Sequence, residues 1–205
     1  MPRKFYAVSS LVLAQALIGR LLVHDDPVIG RLAGVIVETE AYGGADDPAS
    51  HAWRGPTARN RVMFGPPGHA YVYFTYGMHH CFNIVCGAEG QPMAVLIRAL
   101  EPVMGIAAMA ERRGTNDPRR LAAGPGMLAQ ACGLDRRHDG LDLTGGPVWV
   151  ADTRRRARTA VVTGPRIGIR RAAERPWRYW LAGSPHVSRG SGTAGAGRPR
   201  SREPR

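Results

Sequence analysis

Val35-Ile36-Val37-Glu38-Thr39-Glu40-Ala41-Tyr42 is an apolar run that ends in two carboxylates and a tyrosine. Farther along, Tyr71-Val72-Tyr73-Phe74-Thr75-Tyr76-Gly77-Met78 leads into a return run, Cys81-Phe82-Asn83-Ile84-Val85. Val95-Leu96-Ile97-Arg98-Ala99-Leu100-Glu101-Pro102 closes the stretch. Short runs of β-branched and aromatic residues bounded by turn residues are strand signals. A strand buries its middle and offers its ends, so carboxylates, tyrosines and arginines at these ends mark where a site would be built.

Outward from this stretch, Asp25-Asp26-Pro27 is turn chemistry, and Arg20–His24 is expected to pair with Arg31–Tyr42 as a hairpin. Ala70–Tyr76 and His79–Val85 read as a second hairpin, and Met93–Leu100 as a further strand. Between them, 43–68 is rich in Gly, Pro, Asp, Asn and Arg and reads as a long structured loop, a kind often functional. Ser9 or Ser10 is placed to cap a helix through Leu11, Ala14, Leu17 and Ile18. Pro102 is expected at the first position of a second helix that Gly114 ends. A third is expected over Pro125–Cys132, with Gly133 past its end. The last third reads as short strands at Val148–Ala151, Ala160–Val162, Arg166–Ile169 and Trp177–Ala182, with Arg154-Arg155-Arg156 in a turn. From Arg189 on, Gly, Ser, Ala, Pro and Arg leave no apolar anchor, so 189–205 reads as a disordered basic tail. Residues 1–188 then form one α+β domain: a curved, mostly antiparallel sheet with flanking helices and a protruding hairpin.

The chain has 205 residues, with 28 Lys and Arg against 16 Asp and Glu, a net charge of +12. That excess favours a polyanionic partner, nucleic acid or an anionic membrane surface. No run of 18 apolar residues spans a membrane, and Gln15 interrupts the only stretch resembling a signal peptide. Three scattered cysteines argue against a disulfide framework or a zinc site. A reducing, cytoplasmic compartment is expected.

Glu38 and Glu40, two apart on a strand, share a face about 7 Å apart. A carboxylate there is a candidate general base, although spacing alone favours a solvent-facing strand end. Glu38, Glu40 and His51 match no metal-ligand spacing, so no metal is expected. Tyr71 and Tyr73 share a face, and Tyr76 near the hairpin tip is placed to act as a wedge between bases. Asn83 reads either as a structural hydrogen-bonder or as a pocket residue, and His51 as a satisfied loop histidine. Arg59, Arg61 and Arg98 are candidate phosphate contacts or plain surface charges. The residues alone reach a basic, nucleic-acid-facing protein with a carboxylate site and an aromatic tip.

The same residues resemble the alkyladenine (3-methyladenine) DNA glycosylase family. Val37–Tyr42, His51, Thr57–Phe64, Tyr71–Tyr73, Tyr76-Gly77-Met78, Asn83, Leu96–Pro102, Ala123–Gly126, Arg166–Ile169 and Gly183-Ser184-Pro185 carry the resemblance over about 8–188. It implies a bacterial, nucleoid-associated, monomeric enzyme without cofactor that acts on double-stranded DNA containing damaged purines. Glu40 would activate the attacking water, with Arg98 helping to hold carboxylate and water. Tyr42, His51, Tyr73, Asn83 and Leu96 would form the base pocket, Asn83 crowding the amino group of guanine. Tyr76 would fill the gap in the duplex, and Arg59 and Arg61 would meet DNA. Lys4 is the sole lysine, which argues against a Schiff-base lyase. Met127 stands where the family pattern leads one to expect lysine, and His79 and His80 follow the wedge turn. A non-catalytic nucleic-acid-binding module is the competing reading.

Overall fold

The computed structural model describes residues 1–75, 77–153 and 160–188. Tyr76, the Arg154–Arg156 turn and the tail from Arg189 lie outside the described residues.

A one-turn helix, α1 (Arg3–Tyr6), precedes α2 (Ser10–Leu17), which Ser9 caps by accepting from Val12 N–H. β1 (Leu21–Asp26) and β2 (Gly30–Tyr42) form the first hairpin. The long loop that follows carries two 3-10 turns, Gly44–Asp46 and Arg61–Phe64. β3 (Ala70–Thr75) and β4 (His79–Cys86) form the second hairpin, and β5 (Met93–Met104) follows. Then come α3 (Ile106–Arg113), α4 (Pro118–Leu121) and α5 (Pro125–Cys132), and last β6 (Val148–Ala151), β7 (Val161–Gly164) and β8 (Arg178–Leu181).

All strand pairs are antiparallel, and the main order is β3-β4-β5-β2-β1-β6. β2 is the spine. Its first half pairs with β1, Glu38–Glu40 pair with β8, and β5 runs along its other edge. β7 pairs with β8. Register shifts against β5 at Ala33/Gly34, Ile36/Glu38 and Glu38/Thr39 bend β2 where it changes partner. A bulge of this kind coils a strand and re-aims its side chains.

Alternation divides the sheet into two faces. Val72, Phe82, Ile84, Val95 and Ile97 point to one face and pack with Leu13, Leu17, Leu128 and Cys132 of α2 and α5. Thr39 points the same way, its hydroxyl donating to Ala14 O at 2.9 Å. Tyr71, Val85 and Ala94 point to the other face and form a small second core with Ala52 and Met63 of the long loop. The helices thus cover one face and leave the other to the loop.

The structure corrects the sequence reading at two elements. Pro102 is not a helix start but lies inside β5, opposite Gly34, at a register shift where the absent N–H costs little. A Cβ on Gly34 would sit 2.9 Å from Leu100 Cβ, so the strands close only over glycine. Helix α3 starts four residues later than expected, after the left-handed Gly105. Residues 166–169 form no strand: Gly168 has φ +77°, and Arg166 is tied sideways into the loop that follows β2. Helix α5 and its left-handed Gly133 lie where the sequence puts them. Among the described residues no helix is long and apolar enough to cross a membrane.

Candidate active site

The loop-covered face holds a cavity of about 320 Å³ lined by side chains from four adjacent strands. Glu40, Leu96 and Asn83 face one another across β2, β5 and β4, and Tyr71 continues the row on β3. Arg98, Tyr42, Tyr73 and Cys81 flank it, with Ser50, His51 and Met63 of the long loop and Ile167, Gly168 and Ile169 closing the rim. The volume is at the low end of the roughly 300–1,000 Å³ of small-molecule sites, which suits one base.

Glu38 and Glu40 share the cavity side, and both are completely buried rather than solvent-facing. Their surroundings differ. Glu38 accepts from Arg98 Nε (3.0 Å), Arg178 Nη1 (3.2 Å), Ser188 Oγ (2.9 Å) and Ser188 N (2.6 Å). Its oxygens are spent on structure. Glu40 Oε1 accepts from Ile167 N (2.7 Å) and lies 3.1 Å from Arg98 Nη1, and among the described residues Oε2 accepts only from the Tyr42 hydroxyl (3.0 Å). Glu40 is enclosed beneath Tyr42, Leu96, Arg98 and Ile167, all of which line the cavity. Burial holds its carboxyl above the ordinary range, against the opposing pull of Arg98, the Ile167 N–H and Tyr42. Two adjacent carboxylates with unlike environments are the pattern that separates a reacting group from a supporting one.

Tyr42, His51 and Tyr73 all line the cavity, and the strands that carry Tyr42 and Tyr73, β2 and β3, are the outer two of its four-strand row. The His51 and Tyr73 rings are 4.5 Å apart at 69°, and His51 Nδ1 lies 2.9 Å from the Tyr71 hydroxyl. Desolvation first and Arg59 second lower the His51 pKa, which favours the neutral ring. Asn60 holds this loop by donating to the carbonyls of His51 and Gly55. Asn83 spends its Nδ2 on Tyr71 O and Cys81 O, so it is both a structural hydrogen-bonder and a cavity residue. Arg98 is buried, not a surface charge. Arg59 and Arg61 are exposed outside the cavity, Arg59 with its guanidinium 5.1 Å from the Tyr73 ring centre. Met127 is exposed at the start of α5, where a Cβ on Gly126 would lie 2.9 Å from the His79 ring.

Sequence reasoning did not find the work of Ile167, Ser188, Asp47 and Arg166. Ile167 acts through its backbone N–H, and Ser188 reaches Glu38 across 150 residues. Asp47 and Arg166 form a buried ion pair that no spacing announces. Among the described residues no group of three or more His, Cys, Asp or Glu is placed to hold a metal ion.

Glu38→Gln keeps the shape but removes the charge that balances Arg98 and Arg178. Loss of one partner from a buried ion cluster costs about 3–5 kcal/mol, so denaturant unfolding should show a loss of that order. A loss under about 1 kcal/mol, the surface-pair range, would contradict the structural role given to Glu38.

A family model described as methylpurine-DNA glycosylase matches residues 4–185. The protein named "Putative 3-methyladenine DNA glycosylase" of Chlorobaculum parvum is 50% identical over 90% of this chain and 88% of its own length. Proteins of the same name from Rhodopseudomonas palustris strain HaA2 and Methanoculleus marisnigri are 53% and 50% identical, over 91% and 92% of this chain and 89% and 98% of theirs. These matches decide against a non-catalytic binding module: the chain belongs to the methylpurine-DNA glycosylase family, hydrolases of N-glycosyl bonds in DNA.

Proposed function

We propose that the chain is a monofunctional glycosylase of base excision repair that extrudes an alkylated or deaminated purine from duplex DNA. It stacks the base between Tyr42 on one side and His51 and Tyr73 on the other, and hydrolyses the bond to C1′ with a water activated by Glu40. The observation that carries this reading is a buried, incompletely bonded carboxylate beneath a base-sized cavity with aromatic walls. Arg98 steadies the carboxylate. As the glycosidic bond breaks, water adds to C1′, its proton passes to Glu40, and the purine leaves with the bonding electrons. Cationic alkylpurines need little protonation to leave. Because the nucleophile is water, the product is an abasic site and the strand stays intact.

The test is incubation with duplexes carrying 3-methyladenine, hypoxanthine or ethenoadenine, followed by alkaline cleavage. Strand breaks should appear only after alkali. Breaks without alkali would contradict the monofunctional reading, and none at all would contradict glycosylase action on these bases. Glu40 works as a base only when ionised, and its pKa is raised. The single-turnover rate should therefore climb as pH rises through a limb above the ordinary glutamate value of about 4.3. A limb at or below that value would exclude Glu40 as the titrating base.

Asn83 is proposed to reject guanine by crowding its exocyclic amino group. Asn83→Ser should raise the release of undamaged guanine while lesions are still excised. Base-release assays with no rise for guanine would remove the discriminator role.

A further inference from the structure

Behind Tyr42, on the side away from the cavity, planar groups are stacked in layers. The Arg166 guanidinium carbon lies 4.7 Å from the Tyr42 ring centre and 5.0 Å from that of Trp177, and Arg175 lies 4.7 Å from Trp177. Arg166 has a completely buried side chain and is held by a fork. Its Nη1 donates to Asp47 Oδ2 (2.5 Å) and Ala41 O (3.0 Å), and its Nη2 to Asp47 Oδ1 (2.8 Å). Ala41 lies between Glu40 and Tyr42, and the residue after Arg166 is Ile167, whose N–H bonds Glu40. Two groups that touch the cavity are thus tied to one guanidinium that does not line it.

We propose that Arg166 is a positioning residue of the active site, fixing Tyr42 as the rigid wall for the extruded base and Ile167 as the restraint on Glu40. The inference rests on the glycosylase reading above. Only a planar, forked cation performs both tasks, bonding a carboxylate with its edge while stacking on rings with its faces. Lysine keeps the charge and loses both geometries. Stability alone is a weak account of the pair, because a buried ion pair is often no better than apolar packing, and Arg166 Nε is buried without a partner. With a base bound, the stack would run base, Tyr42, Arg166, Trp177, Arg175. The groups facing Glu40 are Arg98, Tyr42, Glu38, Cys81 and Arg166, and the Ile167 N–H that bonds it belongs to the 166–169 segment itself.

The experiment compares wild type with Arg166→Lys, Arg166→Met and Trp177→Leu in single-turnover excision from a hypoxanthine or 3-methyladenine duplex. The saturating rate and half-saturation concentration are measured across pH, beside thermal unfolding and binding to undamaged duplex. Both Arg166 variants should lose about tenfold or more in saturating rate, roughly the worth of one restraining hydrogen bond with its stack. Their acid limb should move to higher pH, because the Ile167 N–H favours the ionised carboxylate, and binding to undamaged duplex should stay unchanged. Trp177→Leu keeps the Arg166–Asp47 pair and should shift rate and limb in the same direction by less. Folded Arg166 variants with the wild-type rate and limb would overturn the proposal, as would unfolded Arg166 variants together with an unaltered Trp177→Leu. A wild type that releases neither base would instead remove the glycosylase reading.

Discussion

Arg98 lies 3.0 Å from Glu38 and 3.1 Å from Glu40, in a part of the sheet where both carboxylates are buried. Charges so placed survive only when they are paired and their remaining hydrogen-bonding capacity is met. Much of the chain's route meets that demand. Arg178 on β8 and Ser188 beyond it supply the rest of Glu38's partners, so the C-terminal part of the domain has to close over β2. The 166–169 segment turns aside from the sheet and brings Ile167 N–H to Glu40. One carboxylate is left saturated, and its neighbour keeps an oxygen with a single donor.

The strands were legible because their signals are local. Alternation along β3, β4 and β5 separates the face that carries Tyr71, Tyr73, Asn83, Leu96 and Arg98 from the face that carries Val72, Phe82, Ile84 and Ile97. Gly133 and Gly114 mark helix ends where left-handed backbone is needed. Pro102 misled because proline fits a helix start and a strand irregularity equally well, and only the partner strand, with Gly34 opposite, decides between them. Burial of Glu38 and Glu40 was illegible for the same reason. Whether a charge at a strand end meets water depends on what folds over it, and the covering groups come from residues 98, 167, 178 and 188. The pocket residues were named through a family resemblance; geometry then brought Tyr42, His51, Tyr73, Asn83, Leu96 and Arg98 to one cavity.

The long loop after β2 adds no strand, yet it brings Ala49, Ser50, His51 and Met63 to the cavity. Asn60 anchors it internally, Asp47 ties it to Arg166, and Ala52 and Met63 anchor it to the sheet through the second small core. His51 is therefore carried on a braced segment rather than on a free loop. The opposite wall, Tyr42, is braced from behind by Arg166. In the proposed reaction, stacking of a base between preformed walls costs less ordering than closure of mobile ones.

The proposed reaction depends on Glu40 taking the proton from water. Glu40→Gln keeps the shape, the Tyr42 contact and an acceptor for Ile167 N–H, and removes the base. The deciding measurement is single-turnover excision of a lesion by this variant beside a binding titration on the same duplex. Binding should be retained while excision falls by at least about two orders of magnitude, within the 10²–10⁴ range of general-base catalysis. Near-normal excision by Glu40→Gln would contradict that role.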